Sequence, residues 1–492
     1  MSGGKTIKHV AVDLGASGGK IYLGEIAEDL KVQEIHRFDN WPVKVENRYV
    51  WNIEKLVRKI INSLKKVGKK EGTIDSIAID TWGVDFGLLK NGELLRKPDS
   101  YRDPRLSSTL PNILKEVTKK EIFESTGINH WNIANSLWQY HYLSRNEPEL
   151  LQSADRIVMI PQLISSMLGD GVCGEETIAS TTQMLNPETR NWAKDLLERL
   201  DLSTEKLPEI EEPGTEIGRV RKDIAQKIGS SPKILLPASH DTASAVAGMS
   251  LRDDKKAFLS TGSWFIVGLE LENPVLTEEA FKAGSSNEMG IEKTSRFLKN
   301  INGFYIFEEC RREWKRKGHT YQYDKLLEKA SNTKRFGPLI DPDNETFTIE
   351  GNMPEKLISY CRETNQKLPE GKGEIVRCIL ESLSLKTAIT LEDLIEASGI
   401  SSSCLHLGGG GVRNEIFCQI LSSATQMPVY AGPIEAAAVG NILTQTKACS
   451  EIEDIKEGRK LVQENFKIQK YEPEKNEKWS EAKSKMRELI EK

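Results

Sequence analysis

The alternation of apolar and polar positions predicts a strand–turn–strand unit at the start of the chain and a helix soon after it. Two apolar runs typical of strands, "HVAVDL" and "KIYLGEI", flank a turn of small residues. The segment "IEKLVRKIINSLKKV" has apolar residues three and four positions apart, a spacing typical of an amphipathic helix. The first 90 residues therefore indicate an α/β arrangement.

A longer apolar run, "SIAIDTWGVDF", predicts a buried strand. Side chains alternate across a strand, so Asp80, Trp82 and Val84 would share one face, and Asp85 would lie on the other. Buried carboxylates are costly unless they are paired or bind a ligand. Trp82 is either a core residue or, beside these carboxylates, a support for the apolar face of a sugar.

Helical spacing dominates from about Asn112 to Asp201, and the proline- and acid-rich "LPEIEEPGTEIG" predicts an exposed loop. The strand candidate "KILLPAS" follows, and then "DTASAVAGM", which predicts a helix with Asp241 as its N-cap. Asp241 would thus stand between the carboxyl end of a strand and a helix, where α/β proteins bind ligands. A plain helix cap and a base for a sugar hydroxyl both remain open for this residue.

The second half of the chain repeats the plan of the first. The polar break "SLRDDKK", at residues 250–256, suggests two domains, 1–249 and 250–492. After it, "KAFLSTGSWFIVGLEL" is again strand, small-residue turn and strand, and its Thr261–Ser263 parallels Ala16–Gly18. "LHLGGGGVRNEIFCQILSSAT" and "PVYAGPIEAAAVGNILTQ" each predict a strand, a loop and a helix. The repeat is short, so duplication and coincidence both stay open on spacing alone.

Length and composition exclude several classes of protein. A chain of 492 residues is too long for one core. It has no apolar run near the roughly 20 residues of a membrane span and no apolar signal segment at its start. A formal net charge of −5 gives no electrostatic reason to expect nucleic acid or an anionic membrane. Seven scattered cysteines without a C-x-x-C pair indicate reduced thiols in the cytoplasm, without a zinc site or disulfides.

The stretch "PASHDTASAV" places a serine, a histidine and an aspartate side by side, the residue types of a hydrolase triad. In a triad the imidazole bonds the serine on one side and the carboxylate on the other. Adjacent side chains point about 100° apart on a helix and to opposite faces of a strand, so neighbours rarely form that relay. A serine hydrolase also commonly carries G-x-S-x-G, which this chain lacks. The stretch therefore does not predict a hydrolase.

Two glycine-rich turns are candidates for nucleotide contact. "VDLGASGGK" fails the P-loop pattern, since only three residues separate Gly15 from Gly19 and Ile21 follows Lys20. It also fails the dinucleotide fingerprint, because a strand follows it instead of a helix. A phosphate-holding hairpin and a plain glycine hairpin remain. "GGGG", at Gly408–Gly411, is either a surface for adenosine or a tight strand-to-helix turn.

Together these segments resemble the FGGY family of carbohydrate kinases over nearly the whole chain. The resemblance is carried, in chain order, by "VAVDLGASGGK", "IDSIAIDTWGVDFGLL", "YRDPR", "SHDTASAV", "STGSW", "LKNINGF", "HLGGGGVRNEIF" and "AGPIEAAAVGNI". It implies an α/β fold of two duplicated actin-like (ribonuclease H-like) ATPase domains with a cleft between them. It also implies transfer of phosphate from ATP, with Mg²⁺, to the terminal primary hydroxyl of a ketose.

The resemblance also implies roles for individual residues. Asp241 matches the family's proton acceptor, and Asp13 would help to position Mg²⁺ through water. The sugar-contacting positions correspond to Gly83, His240, Thr242 and Asn300. The nucleotide-contacting positions correspond to Ala16, Ser17, Gly18, Gly19, Lys20, Ser263, Glu308 and Gly410. The implied partners are ATP and a small ketose, with neither nucleic acid nor a membrane, and the enzyme would be a monomer or a homodimer.

The chain departs from the family pattern at a few positions. Gly18 stands where a second serine is common, Lys20 where an arginine is common, and Ser263 where a threonine is common. The segment "GINHWNIANSLWQY", residues 127–140, resembles the family poorly and is a candidate for sugar selectivity. A kinase for another ketose or a polyol, or an actin-like ATPase without a sugar substrate, therefore remain alternatives. The failed fingerprint disfavours a dinucleotide oxidoreductase.

Overall fold

The computed structural model describes residues 6–169, 171–251 and 256–491. In chain order, the strands of these residues are β1 (Ile7–Leu14), β2 (Gly18–Ile26), β3 (Leu30–Asp39), β4 (Val43–Val45), β5 (Arg48–Val50), β6 (Ser76–Thr81), β7 (Phe86–Lys90), β8 (Glu93–Leu94), β9 (Arg156–Met159), β10 (Gly174–Glu175), β11 (Leu185–Asn186), β12 (Asn191–Trp192), β13 (Ile210–Glu211), β14 (Glu216–Arg219), β15 (Lys233–Leu235), β16 (Ala257–Thr261), β17 (Trp264–Leu271), β18 (Ser286–Met289), β19 (Ser295–Asn302), β20 (Leu405–Gly409), β21 (Val429–Ala431) and β22 (Gln469–Tyr471). The helices are α1 (Ile53–Glu71), α2 (Pro104–Ser107), α3 (Leu110–Ile113), α4 (Lys119–Thr126), α5 (Ser136–Asn146), α6 (Pro148–Ser153), α7 (Ile160–Leu168), α8 (Glu176–Ala179), α9 (Lys194–Arg199), α10 (Lys222–Ile228), α11 (Asp241–Gly248), α12 (Glu278–Lys282), α13 (Tyr305–Arg316), α14 (Tyr323–Ser331), α15 (Met353–Glu363), α16 (Lys372–Ser398), α17 (Glu415–Thr425), α18 (Ala436–Ala448), α19 (Ile455–Asn465) and α20 (Lys478–Ile490).

Two compact units divide the chain, and neither is continuous in sequence. The first unit comprises Met1–Met249, Glu270–Phe297 and Ala436–Phe466. The second comprises Ser250–Leu269, Leu298–Glu435 and Lys467–Lys492. The predicted boundary break includes residues 252–255, which lie outside the described residues. The division into domains at 249/250 therefore stays a prediction.

A six-stranded sheet in the order β14-β15-β6-β1-β2-β3 forms the core of the first unit. The predicted hairpin is confirmed: β1 and β2 pair antiparallel, while β6 runs parallel to β1 and β15 parallel to β6. The predicted helix α1 is also confirmed, and its buried face includes Ile53, Leu56, Ile60 and Leu64. Because β1, β6 and β15 are parallel, their carboxyl ends meet at one edge of the sheet.

The second large sheet repeats this plan in the order β18-β19-β17-β16-β20-β21-β22. Its β16–β17 hairpin corresponds to β1–β2, since β20 runs parallel to β16 as β6 does to β1. Next along, β21 is parallel to β20, and the antiparallel β22 corresponds to the antiparallel β14. This agreement in strand order and direction confirms the predicted α/β fold of two duplicated actin-like domains.

Three predictions from the pattern need correction. The run "SIAIDTWGVDF" is not one strand: β6 ends at Thr81, and β7 begins at Phe86 in a different sheet. "LPEIEEPGTEIG" is not only a loop, because it contains β13 and most of β14, the edge strand of the first sheet. Asp241 is the first residue of α11, and His240 occupies the N-cap position. The region from Asn112 to Asp201 is mainly helical, as predicted, but includes β9–β12.

Close packing of α11 against α18 connects two distant parts of the chain within the first unit. A Cβ atom on Gly440 would collide with the carbonyl oxygen of Ser244, and one on Gly248 would collide with that of Ala436. These two glycines therefore allow the helix backbones to touch, which places α18 against the sheet beside β1 and β6.

Two further properties concern the described part of the chain as a whole. None of its helices combines the length and the apolar character that a membrane crossing requires. All seven cysteines are free thiols.

Candidate active site

Three acidic or polar segments meet at the carboxyl edge of the first sheet. Asp13, near the end of β1, is paired in register with Asp80 of the parallel strand β6. Beyond β6, Thr81 forms a parallel bridge with His240, and its amide donates to the Ser239 carbonyl at 2.9 Å. Asp241 follows directly as the first residue of α11. The sheet thus brings together residues that are up to 228 positions apart in the sequence, since 241 − 13 = 228.

Asp241 retains access to solvent at this edge, whereas Asp80 is fully buried. The Asp241 side chain is 29% exposed, and its Oδ1 accepts from the Thr242 hydroxyl at 3.1 Å. His240 Nε2 lies 3.5 Å from the same oxygen. Burial raises the pKa of Asp241, and its contacts with His240 and Thr242 oppose that rise. A carboxylate with a raised pKa and an open face is suited to accept a proton.

Ser239, the serine of "SHD", is held by hydrogen bonds inside the fold. Ser239 is buried, its Oγ accepts from Gln162 Nε2 at 2.9 Å, and it donates to the Pro237 carbonyl at 3.4 Å. The backbone amides of Ser239 and His240 donate to Glu175 Oε2 and to the Thr177 hydroxyl, both at 3.2 Å. The serine hydroxyl therefore belongs to the packing of the strand end, which agrees with the exclusion of a hydrolase triad.

His240 has two charged neighbours on the side away from Asp241. Its Nδ1 lies 3.1 Å from Glu288 Oε2 on β18 and 3.2 Å from Arg296 Nη2 on β19. Arg296 is fully buried and also donates to Glu288 Oε2 at 2.9 Å and, through Nε, to the Met289 carbonyl at 3.0 Å. Burial opposes ionisation of Glu288, but its contacts with His240 and Arg296 outweigh it and lower the pKa of Glu288 to about 2.

Asp80 is fully buried and receives one hydrogen bond from α18. Its Oδ2 accepts from Asn441 Nδ2 at 2.5 Å, and its Oδ1 has no partner among the described residues. Burial, followed by repulsion from Asp13, raises the pKa of Asp80 well above its ordinary value. Asp80 thus resists ionisation beside Asp13, and two carboxyl groups lie close together at this edge of the sheet.

This accumulation of carboxylates fits a divalent cation with oxygen ligands. Within the described ranges, no group of three or more His, Cys, Asp or Glu side chains is placed to hold a metal ion. Mg²⁺ commonly keeps several waters and binds through one or two carboxylates together with substrate phosphates. The predicted role of Asp13, which is partly buried at the end of β1, is compatible with that mode of binding.

Trp82 and Asp85 turn out to belong to a hydrogen-bonded core. Asp85 accepts from Trp51 Nε1 at 2.6 Å, Trp82 Nε1 at 3.0 Å, Gln139 Nε2 at 2.7 Å and the Tyr101 amide at 2.9 Å. The Trp51 and Trp82 rings are 4.1 Å apart. Burial raises the pKa of Asp85 to about 7, and these donors limit the rise. The placement of Trp82, which is 5% exposed, favours the core interpretation, and its contact with sugar stays a prediction.

The turn between β6 and β7 explains why Gly83 is a glycine. A Cβ atom there would lie 2.9 Å from the hydroxyl oxygen of Thr181. The next residue, Val84, has φ of +68°, and its amide donates to the same hydroxyl at 3.0 Å. A positive φ is rare for a β-branched residue and stores strain, which is typical of functional sites. The predicted contact of Gly83 with sugar remains a prediction.

The tip of the β1–β2 hairpin is open to solvent at its predicted phosphate loop. The Gly15 amide donates to the Gly18 carbonyl at 2.8 Å, which leaves Ala16 and an exposed Ser17 at the tip. A Cβ atom on Gly15 or Gly18 would meet only ordinary contacts, whereas one on Gly19 would strike the Phe38 ring. Gly19 is therefore required by packing. The neighbouring Lys20 is paired in register with Asp13.

The predicted nucleotide residues of the second unit cluster around the glycine loop. Gly409 has φ of +84°, and a Cβ atom on Gly411 would lie 2.7 Å from the Thr261 hydroxyl, so both are required by the fold. A Cβ atom on Gly410 would meet nothing within 4 Å. The protein itself thus provides no steric reason for a glycine at position 410. Ser263 is exposed at the tip of the β16–β17 hairpin.

Glu308 is linked to the helix that follows this loop. Arg311 Nη1 donates to both carboxylate oxygens of Glu308, at 2.8 and 2.7 Å, and its guanidinium lies over the Tyr323 ring at 5.5 Å. The Tyr323 hydroxyl accepts from Asn414, the N-cap of α17, at 3.3 Å. On β19, the Oδ1 atom of Asn300 is buried without a hydrogen-bond partner in the described residues. An unsatisfied buried acceptor of this kind is suited to receive a ligand donor.

The divergent segment 127–140 lies against the elements that carry Glu288. The Asn129 amide donates to the Ser286 hydroxyl at 2.9 Å, which places the segment beside β18. Burial lowers the pKa of His130 to about 4, and Glu288 opposes that shift. A chain of interactions therefore connects this segment, through His130 and Glu288, to His240.

Comparison with known proteins identifies the family. The N-terminal domain of the FGGY family of carbohydrate kinases matches residues 9–248, and its C-terminal domain matches residues 257–449. The chain belongs to the FGGY family of carbohydrate kinases. A rhamnulokinase from Bacteroides thetaiotaomicron is 39% identical over 477 residues, which cover 96% of this chain and 97% of the relative. One from Ligilactobacillus salivarius is 37% identical, with 95% of each chain covered.

Solved structures share the fold of this FGGY kinase over its whole length. A gluconate kinase from Lactobacillus acidophilus has a TM-score of 0.81 at 16% identity and covers 99% of this chain and 97% of its own. A xylulose kinase from the same organism has a TM-score of 0.79 at 17% identity, with 98% and 97% covered. As a member of the family, the protein is an ATP-dependent sugar phosphotransferase.

Three site partners in this FGGY kinase escaped the sequence analysis: Glu288, Arg296 and Asn441. A weak signal exists for the first two, since "SSNEMG" and "TSRFLKN" place a charged residue inside a short apolar or small-residue run. Buried charges of that kind are normally paired. Asn441 lies in a helix of small residues and gives no such signal.

Proposed function

We propose that the protein phosphorylates the terminal primary hydroxyl of L-rhamnulose with ATP, forming L-rhamnulose 1-phosphate and ADP in the breakdown of L-rhamnose. The position of Asp241, partly exposed at the carboxyl edge of the first sheet beside His240, carries this proposal. Two relatives named rhamnulokinase match almost the entire chain, at 39% and 37% identity, and they support this choice of sugar.

In the proposed reaction, Asp241 orients the sugar hydroxyl and accepts its proton. The hydroxyl oxygen forms a bond to the γ-phosphorus of ATP while the bond from that phosphorus to the bridging β,γ-oxygen breaks, and ADP leaves. Phosphoryl transfer depends mainly on positioning and on stabilisation of charge. The raised pKa of Asp241 brings its proton affinity closer to that required of a base at neutral pH.

The remaining predicted residues would hold the two substrates. The open tips of the two hairpins, at Ala16–Lys20 and Ser263, would donate to phosphate oxygens, and Gly410 and Glu308 would contact the nucleoside. Mg²⁺, near Asp13, would offset the charge on the phosphates. The sugar contacts we propose are Trp82, Gly83, His240, Thr242 and Asn300.

Location, assembly and domain division are proposed on more general grounds. Free thiols at all seven cysteines support a reducing compartment, and we place the enzyme in the cytoplasm. We propose that it works as a monomer or a homodimer, with domains 1–249 and 250–492. Its ligands would be the ketose and ATP, and neither nucleic acid nor a membrane.

The site of phosphorylation tests the proposed chemistry. Phosphorus NMR of the product formed from L-rhamnulose should show a phosphate ester coupled to the C1 methylene protons. A phosphate on a secondary hydroxyl, or only free phosphate, would refute the proposed reaction.

Gly410→Val is expected to raise the KM for ATP at least tenfold while the KM for sugar changes about twofold or less. The side chain has room within the protein and would project into the space proposed for the nucleoside. Gly371→Val is the matched control, because a Cβ atom there also meets nothing within 4 Å, at the exposed start of α16. Equal changes in both KM values would mean that the glycine loop has only a structural role.

Exchange of residues 127–140 for the corresponding segment of the Bacteroides thetaiotaomicron relative is expected to change the ranking of sugars by kcat/KM. The KM for ATP should stay within about twofold. The segment contacts β18 and contains the start of α5 in the first unit, whereas the proposed nucleoside contacts, Gly410 and Glu308, belong to the second unit. Steady-state kinetics with a set of ketoses measures this, with the melting temperature as the check on folding. If the ranking is unchanged in a folded exchange variant, the segment does not determine specificity.

A further inference from the structure

The neighbours of His240 restrict where its ring can carry a proton. Arg296 Nη2 has two hydrogens, and arginine is always a donor. One hydrogen is directed to Glu288 Oε2 at 2.9 Å, and the other meets the geometry of a hydrogen bond to His240 Nδ1 at 3.2 Å. A proton on Nδ1 would oppose that second hydrogen. Glu288 Oε2 also lies 3.1 Å from Nδ1, but it already accepts from Arg296. With Nδ1 as an acceptor, both Nη2 hydrogens have a partner.

Arg296 is held in place by contacts that leave it little freedom. Its side chain is fully buried, its Nε donates to the Met289 carbonyl at 3.0 Å, and the Glu288 carboxylate holds Nη2. Both partners come from β18, the strand beside β19. The guanidinium is thus a fixed donor aimed at one ring nitrogen.

A neutral ring whose Nδ1 accepts must carry its hydrogen on Nε2. Nε2 is the atom that lies 3.5 Å from Asp241 Oδ1. We propose that Arg296, anchored by Glu288, fixes the Nε2–H tautomer of His240, so that the ring presents its one donor on the side where Asp241 lies and where the sugar would bind. This rests on the proposed function, in which His240 and Asp241 face the ketose. Arg296 and Glu288 are positioning residues, because they act through the imidazole.

The opposite tautomer would weaken the site. With the hydrogen on Nδ1 and donated to Glu288, Nε2 would present a lone pair to the Asp241 carboxylate. Two acceptors would then face each other, and the one hydrogen that a sugar oxygen could accept from the ring would be lost. Loss of a hydrogen bond to a charged group commonly corresponds to about 1.5–3 kcal/mol, or roughly a 10- to 150-fold change in binding.

Long-range proton–nitrogen NMR of the enzyme labelled with ¹⁵N-histidine tests the proposal directly. The signals of His240 are assigned by their loss in His240→Asn. In the unaltered enzyme we expect a protonated Nε2 and an unprotonated Nδ1. In Arg296→Met, Glu288 Oε2 remains 3.1 Å from Nδ1 without the competing arginine, so the proton should move to Nδ1. The kcat/KM for sugar should then fall roughly 10- to 100-fold, with the KM for ATP within about twofold.

The matched control is Arg459→Met, which breaks another arginine–glutamate pair of the first unit, one that is partly buried. Arg459 binds both oxygens of Glu270, each at 2.8 Å, and donates to the Val246 carbonyl at the far end of α11 from His240. The control should leave the His240 tautomer and the sugar KM unchanged. Arg296→Lys keeps the positive charge and a donor, and should restore part of the activity.

A second variant covers the case in which Arg296→Met does not fold. Arg296→Met combined with Glu288→Leu replaces the whole ion pair by apolar side chains, a change that is often tolerated. It should show a mixture of both tautomers. A proton on Nδ1 in the unaltered enzyme, or an unchanged tautomer in the folded variants, would overturn the proposal. These spectra do not depend on which sugar is phosphorylated, so they can fail or succeed separately from the proposed function.

Discussion

Asp241→Asn is expected to lower the turnover number roughly 10²- to 10⁴-fold, the range typical of losing a general base. The amide has the size of the carboxylate and keeps one acceptor oxygen for the Thr242 hydroxyl. The variant should therefore fold, and it should bind ATP and sugar with affinities close to those of the unaltered enzyme. Calorimetric binding of each substrate and single-turnover kinetics separate the loss of chemistry from a loss of binding.

Ser239→Ala is the control for this prediction, because Ser239 belongs to the same "SHD" stretch as Asp241. Its hydroxyl is bonded to Gln162 and to the Pro237 carbonyl, and no covalent serine intermediate is proposed. The turnover number should change little, and the melting temperature should fall slightly. If Ser239→Ala were inactive and Asp241→Asn active, the assignment of this site to a kinase would be wrong.

Asp85→Leu is expected to destabilise the first unit by about 3–5 kcal/mol, because it removes the acceptor of buried donors and leaves them unsatisfied. Two of these are the indole groups of Trp51 and Trp82, and a third is the amide of Gln139. A change of this size corresponds to a fall in melting temperature on the order of 10 °C. Thermal unfolding followed by tryptophan fluorescence measures it.

Asp85→Asn provides the graded comparison. It keeps one acceptor oxygen but turns the other into a donor that faces donors, so its melting temperature should lie between those of Asp85→Leu and the unaltered enzyme. If Asp85→Leu melts within about 1 °C of the unaltered enzyme, the hydrogen-bonded core around Asp85 does not stabilise the fold as described.

Local patterns were sufficient for much of the fold. The β1–β2 and β16–β17 hairpins, the helix α1 and the strand before Asp241 each follow from periodicity and turn residues within about 20 positions. The parallel strand order was not visible in any of these segments. It was implied by the resemblance to FGGY kinases, and the duplicated order of the two sheets confirms it.

The turn from Trp82 to Asp85 could not be predicted, because its cause lies elsewhere in the chain. An apolar run with β-branched residues favours a strand. Here, however, Val84 adopts a positive φ because its amide bonds to the hydroxyl of Thr181, 97 positions further on. Tertiary contact overrides the local preference.

The charged partners of His240 were missed for the same reason. Glu288 lies 48 positions beyond His240 (288 − 240), and Arg296 lies 56 positions beyond it (296 − 240). The pairing of β18 with β19 brings Glu288 and Arg296 together. Sequence reasoning proposed Asp241 as the base, since a residue between a strand and a helix has a local signature. It did not find Glu288 and Arg296, because their position depends on contacts between distant segments.

The sugar dependence of ADP formation tests the central claim most directly. In a coupled assay with Mg²⁺ and ATP, the purified enzyme is offered L-rhamnulose, L-fuculose, D-xylulose, glycerol and no acceptor. The proposed function predicts that ADP forms only with an acceptor and that L-rhamnulose has the highest kcat/KM. A higher kcat/KM for another acceptor would contradict the proposed substrate, and ADP formation at the same rate without any acceptor would contradict a sugar kinase altogether.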